Sequence, residues 1–238
     1  MILLGTLVNA VAIVAGALLG RLLSGIPESI RKTVMQGIGL AVVLLGIKMS
    51  LETQNFLLVI LSIVIGSILG ELMRIESGLN KLGQWLEQKM GKSTQGSIAT
   101  GFVTTTLVYC IGAMAVLGAM DSGLRNNHEI LYTKAMLDGF SAIIFSSTLG
   151  IGVLFSAVPV FLYQGAIALL STQIYHIVSQ ETLNAMLVEV TAVGGLMIIA
   201  IGINILELKK INVANMLPAL VIAAIGVPIS QWLTGLFG

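Results

Sequence analysis

The chain of 238 residues has a single cysteine, two histidines, four prolines and 10% charged residues, and each shortage removes a class of protein. Cys110 alone closes no intrachain disulfide, and its place inside an apolar run fits an inert buried thiol rather than a redox or metal group. His128 and His176 stand singly in polar loops, without metal-ligand partners at helical spacing. No Ser, His and acid set with defensible geometry can be assembled. The run Gly150-Ile-Gly152 lacks the third glycine and the strand context of a phosphate loop. Catalysis and a cofactor are therefore not expected. With a net charge of +1 and no basic block, nucleic acid is not an expected partner either.

What is present is apolar. A hydrophobic fraction of 56% and a mean hydropathy of +1.01 lie outside the range of soluble domains. The chain reads as an integral membrane protein whose partner is the lipid bilayer. Its length has room for roughly eight spans of about 20 residues. No stretch is long or polar enough for a separate soluble domain. Residues 1–20 have an apolar core but no preceding Lys or Arg, so they lack the charged front of a cleavable signal and are read as a first, retained span.

Apolar runs give eight candidate helices near 3–23, 35–50, 55–73, 98–120, 131–153, 157–179, 184–206 and 212–236. Two of them repeat one another. The run 38–47 is echoed at 194–203, with Gly39 on Gly195, Leu40 on Leu196 and Gly46 on Gly202. Further on, Ile65-Gly66 matches Ile225-Gly226 after a gap of about four residues. Such a duplication in a membrane protein is the usual trace of a transporter built from pseudo-symmetric halves, with its site where they meet.

Basic residues bear on direction, because cytoplasmic loops carry Lys and Arg in excess. With eight spans and an outside amino terminus, Arg21, Arg31, Lys32, Arg74, Lys81, Lys89, Lys92, Lys209 and Lys210 face the cytoplasm, against Lys48, Arg125 and Lys134. If 98–120 instead re-enters on the same side, the ratio is again nine to three. We favour the eight-span version, since 98–120 is long enough to cross and has no proline. The second and seventh helices then run oppositely. The expected fold is all-α, a polytopic membrane helix bundle of about eight transmembrane helices, with inverted three-helix repeats flanking a central hairpin. Its segments are repeat one (1–73), an amphipathic linker (74–95), the hairpin (96–153) and repeat two (154–238). In 74–92, Ile75, Leu79, Leu82, Leu86 and Met90 recur at helical spacing, with Trp85 between and Glu76, Lys81, Glu87, Lys89 and Lys92 on other faces. That pattern fits a helix lying in the headgroup layer.

An ionisable group within the hydrocarbon costs at least about 2.5 kcal/mol, so each one inside a span is a functional candidate. Asp138 leads, with Ser141 and Thr148 on its face at spacings of three and seven. The plainer alternative pairs it with Lys134 one turn earlier. Glu189, just before Gly194-Gly195, is either a second coupling acid or an interfacial residue. Thr104, Thr105, Thr106 and Tyr109 supply hydroxyls that could coordinate a cation or a polar solute, or that bond back to the helix. Asn9, Gln164, Asn204 and Asn215 are amides suited to a site or to interhelical bonding. Asn204 stands where the first copy has Lys48 and is kept among the site candidates. Pairs such as Gly16/Gly20 and Gly66/Gly70 have small-xxx-small spacing and point to close helix packing.

Four ordered segments carry a family likeness: 107–123 (Leu107-Val-Tyr-Cys-Ile-Gly to Asp-Ser-Gly123), 134–140, 150–165 and 212–220. Together they resemble a widespread bacterial membrane family catalogued as domain of unknown function 554, the YqgA and YdfK type. The likeness covers essentially the whole chain and implies a bacterial membrane location, without implying an activity or site residues. The expected function is a small secondary transporter or ion-conducting protein of the bacterial cytoplasmic membrane. A small solute or a cation would be its cargo. Because pseudo-symmetric small transporters often pair, a homo-oligomer of unfixed number is also expected. The alternative is a membrane scaffold or regulator acting through the 74–92 helix.

Overall fold

The computed structural model describes residues 1–22, 27–90 and 98–237, without the side chains of residues 28, 31, 90 and 233–237. Arg31, Met90 and Lys92 of the charge and amphipathic patterns thus lie, in side chain or entirely, outside the described residues. Among those residues every regular element is helical: α1 (Leu4–Leu22), α2 (Glu28–Ser50), α3 (Phe56–Met73), α4 (Ile75–Met90), α5 (Ile98–Cys110), α6 (Ala113–Arg125), α7 (Glu129–Leu149), α8 (Gly152–Phe155), α9 (Ala157–Ile177), α10 (Gln180–Ile205), a 3₁₀ turn (Val213–Met216) and α11 (Pro218–Phe237). Among the described residues six helices are long and apolar enough to cross a membrane, or seven if the bent pair α5–α6 counts as one span. α7 carries Lys134 and Asp138 and is not among the six.

The run 98–120, read above as one helix, is two. The chain breaks after Cys110, and α5 and α6 meet at 63°. Gly112 sits at φ 130°, where a Cβ would clash with the backbone, so this glycine permits the break that an absence of proline does not prevent. The fifth run is likewise interrupted, at Gly150 (φ 88°). Pro218 is the first residue of α11, where its missing N–H removes no helical bond.

The helices fall into two compact units that interleave in sequence: residues 1–34 with 79–176, and residues 35–78 with 177–238. Unit 1 is organised on α1 and α7, the most extensive helix pair among the described residues. α1 turns Gly5, Thr6, Asn9, Ile13, Gly16, Ala17 and Gly20 inward. A Cβ on Gly5 would meet Leu131, one on Gly16 the carbonyl oxygen of Gly139, and one on Gly20 that of Ile143. The contacts advance in the same direction on both helices, so α1 and α7 run parallel. Ser146 Oγ fastens the seam by donating to the Ala17 carbonyl at 2.7 Å. Since lipid offers no hydrophobic drive for helix association, close backbone approach and polar bonds hold such helices together.

Unit 2 contains the two segments that echo one another in sequence, and they touch. α2 buries Gly39, Val42 and Gly46, three positions on one face. A Cβ on Gly46 would lie 2.6 Å from the Gly195 carbonyl oxygen; one on Gly202 would lie 2.9 Å from that of Gly39. Rising numbers in α2 meet falling numbers in α10, so the two helices are antiparallel. The second matched pair behaves alike. Gly66 of α3 lies against Ala219 of α11, and Gly226 of α11 against Leu58 of α3. Val59, Ala192, Val193, Ala219 and Ala223 form a buried apolar core in this unit.

Candidate functional site

The polar centre of unit 1 is assembled from three helices. On α7, Lys134 and Asp138 are one turn apart, and Lys134 Nζ lies 3.0 Å from Oδ1 and 2.9 Å from Oδ2 of Asp138. From α1, Asn9 Nδ2 donates to Asp138 Oδ2 at 3.0 Å and to Gln164 Oε1 of α9 at 3.3 Å. Lys134 and Asp138 are 7% and 6% exposed, and Asn9 and Gln164 are wholly buried. Asn9 reaches Asp138 because Gly16 and Gly20 let α1 lie against α7 along its length. Near the cluster, Ser141 Oγ donates to the Asp138 carbonyl oxygen at 3.0 Å and stands 3.4 Å from the Tyr109 hydroxyl. Tyr109 is buried edge-on to Phe145, with ring centroids 6.4 Å apart, two residues before the α5–α6 break. Three buried polar atoms here have no protein partner: Thr6 Oγ1, Asn9 Oδ1 and Gln164 Nε2.

The threonine run divides by environment. Thr105 Oγ1 donates back to the Gly101 carbonyl at 2.7 Å, as expected for a membrane-helix threonine. Thr106 Oγ1 is buried without a partner, and Thr104 is half-buried.

Glu189 and Asn204 belong to unit 2. Glu189 Oε1 accepts from the backbone N–H of Gln54 at 2.9 Å and of Asn55 at 3.0 Å, and Oε2 accepts from Thr53 Oγ1 at 2.5 Å. Its charge thus sits at the amino-terminal end of α3, where free N–H groups and the helix dipole stabilise an anion. Asn55 completes this cap by accepting from Leu58 N–H at 3.1 Å. The start of α11 is held similarly. Glu76 Oε2 accepts from Ala214 N–H at 2.9 Å, and Asn215 bonds to Glu71 Oε2 at 2.5 Å and to Glu76 N–H at 2.7 Å. Asn204 closes the loop after α10 by bonding both the N–H (2.7 Å) and the carbonyl (2.8 Å) of Ile211. Asp138, Ser141, Tyr109 and Thr104 to Thr106 are therefore in one unit, Glu189 and Asn204 in the other.

In the sequence, Asn9 and Gln164 read as generic amides, and Lys134 as an alternative to a site rather than part of one. A usable signal exists nonetheless. The buried positions Gly5, Asn9, Ile13 and Gly16 of α1 fall on Val160, Gln164, Ala168 and Ser171 of α9 at a constant offset of 155 residues, close to the 156 that relates Gly39 to Gly195.

Apolar helices of spanning length around a buried charge pair define a polytopic helical membrane protein. The chain belongs to the family described as Protein of unknown function (DUF554), whose model matches residues 4–228. It is 34% identical over 225 residues to the "Uncharacterized membrane protein YdfK" of Bacillus subtilis (strain 168), covering 92% of this chain and 93% of that protein. It is 32% identical over 225 residues to the "Uncharacterized protein YqgA" of Escherichia coli (strain K12), covering 92% and 94%. No solved structure matches the chain.

Proposed function

We propose that the protein is a small secondary transporter or ion-conducting protein of the bacterial inner membrane, not an enzyme, with its site at the Lys134, Asp138, Asn9 and Gln164 cluster. One observation carries this reading: a charge pair and two amides from three helices, all buried in a membrane protein. Stability alone gives no reason for them. Replacing a buried ion pair by packed apolar side chains is often neutral or stabilising, and intramembrane charges are characteristic of transport pathways. The helix breaks at Gly112 and Gly150 add to the case, because discontinuous helices present free backbone groups at transporter sites.

Helix direction supports the finer architecture. In unit 2 equivalent positions meet crosswise: Gly39 approaches Gly202, the counterpart of Gly46, while Gly46 approaches Gly195, the counterpart of Gly39. A two-fold relation between antiparallel copies produces such a pattern, and we read these segments as inverted repeats. The parallel course of α1 and α7 bears on the number of spans. If α2 and α3 each cross, α7 returns to the direction of α1 only when α5–α6 also makes a net crossing. We therefore take the bent pair as a broken span and α7 as a span, eight in all.

Flux into proteoliposomes made with purified protein tests the function. Solute or ion uptake should fall at least tenfold in Asp138→Asn, whose charge no longer matches Lys134. Undiminished uptake would remove Asp138 from the mechanism. Reporter tags at Asn127 and on the 74–92 segment should lie on opposite sides of the membrane; tags on one side would refute the fourth crossing.

A further inference from the structure

Charge dictates how the amides of the cluster must face. Lys134 Nζ lies within 3.0 Å of both Asp138 carboxyl oxygens, which therefore act as acceptors, so Asn9 turns its NH₂ group toward them rather than its own acceptor oxygen. That same NH₂ group donates to Gln164, which must therefore present its oxygen. Two opposite groups remain uncommitted and wholly buried: an acceptor, Asn9 Oδ1, and a donor, Gln164 Nε2. Thr6 Oγ1, one turn before Asn9 on the same face of α1, adds a hydroxyl able to serve either way. Buried polar atoms without a protein partner are rare, and each requires a water, an ion or a ligand.

The chemistry of the open groups selects the ligand. Hard cations need several oxygens, and here the carboxylate oxygens are engaged by Lys134 and Asn9 while one open group is an N–H donor. An anion would need donors alone and would face Asn9 Oδ1. The charge of the pair is balanced. What fits is an uncharged molecule carrying a carbonyl beside an N–H, which would accept from Gln164 and donate to Asn9. The two amides also occupy matching positions at the 155-residue offset, so each repeat contributes one.

We propose that Asn9, Gln164 and Thr6 form a binding subsite for a small uncharged amide or urea, with Lys134 and Asp138 as positioning residues that fix the orientation of Asn9. This deepens the transport reading by naming its substrate class, and binding can be tested apart from transport. The purified full-length protein is melted with acetamide, N-methylurea, sodium chloride or glycine, for wild type and for Gln164→Met, which keeps volume but loses the amide. At ten times their dissociation constants acetamide and N-methylurea should raise the wild-type melting temperature by about 3–6 °C, the salt and the zwitterion should not, and Gln164→Met should lose the shift. If Gln164→Met does not fold, Thr6→Val serves, and its apparent amide affinity should fall several-fold. Equal shifts in wild type and variant, a response to sodium chloride alone, or no response in either protein would overturn the subsite; in the last case the open groups hold only a structural water. Light-scattering swelling of proteoliposomes in acetamide separates the two claims. Binding without swelling leaves the subsite standing and defeats the carrier; ion flux without amide binding does the reverse.

Discussion

Asp138 and Glu189 are both buried carboxylates on helices of a membrane protein, 6% and 3% exposed, yet their surroundings use them differently. Glu189 is consumed by its own fold: two backbone N–H groups and a hydroxyl at the start of α3 take up its oxygens. The backbone donors lack intrahelical partners, and the carboxylate takes the place that water would otherwise fill. Asp138 is bonded by side chains instead, and the chain of bonds that begins there ends in open groups on Asn9 and Gln164. Burial of a charge therefore does not by itself identify a site. The balance of donors and acceptors around the charge separates the two carboxylates, and by that measure Glu76, bonded to the N–H of Ala214, belongs with Glu189.

The contrast can be broken by substitution. The largest effect is expected from Asp138→Leu, which strands a buried Lys134 and should cost about 3–5 kcal/mol in reversible unfolding. Adding Lys134→Met to that variant should recover most of the loss; a double variant as unstable as the single one would show that the pair is needed for folding. Next, Gly46→Ala places a Cβ against the Gly195 carbonyl and should cost about 1–3 kcal/mol. Gly37→Ala meets nothing within 4 Å and should be neutral or stabilising by up to about 1 kcal/mol. A loss at Gly37 equal to that at Gly46 would discredit the α2–α10 seam. Glu189→Gln removes a charge from the α3 cap and should cost about 1–2 kcal/mol, with flux per folded molecule unchanged in proteoliposomes. Reduced flux there would place Glu189 beside Asp138 after all. The smallest change, about 1 kcal/mol, is expected for Asn204→Ala, which frees both backbone groups of Ile211, again without effect on flux.

Part of this organisation is legible in the amino-acid sequence. Long apolar runs have to become helices, because only internally bonded backbone survives in hydrocarbon, and the glycine echo marks the two segments that pack together. The Gly16/Gly20 and Gly66/Gly70 pairs announce close approach, and all four glycines lie against backbone or Cβ atoms of a neighbouring helix. The α5–α6 break is not legible, although Gly112 is visible in the sequence. Glycine is common inside membrane helices, and only the local φ reveals which one ends a helix. The partners of Asn9 are hidden for another reason: Asp138 and Gln164 lie 129 and 155 residues away.

Composition and periodicity, being properties of neighbours along the chain, are enough to establish a helical membrane protein with two segments that echo one another and a short roster of polar groups within its apolar helices. Which of those groups satisfy the backbone and which remain open is decided only in three dimensions. Hydrogen bonds between helices depend on register and direction, and hydropathy carries neither.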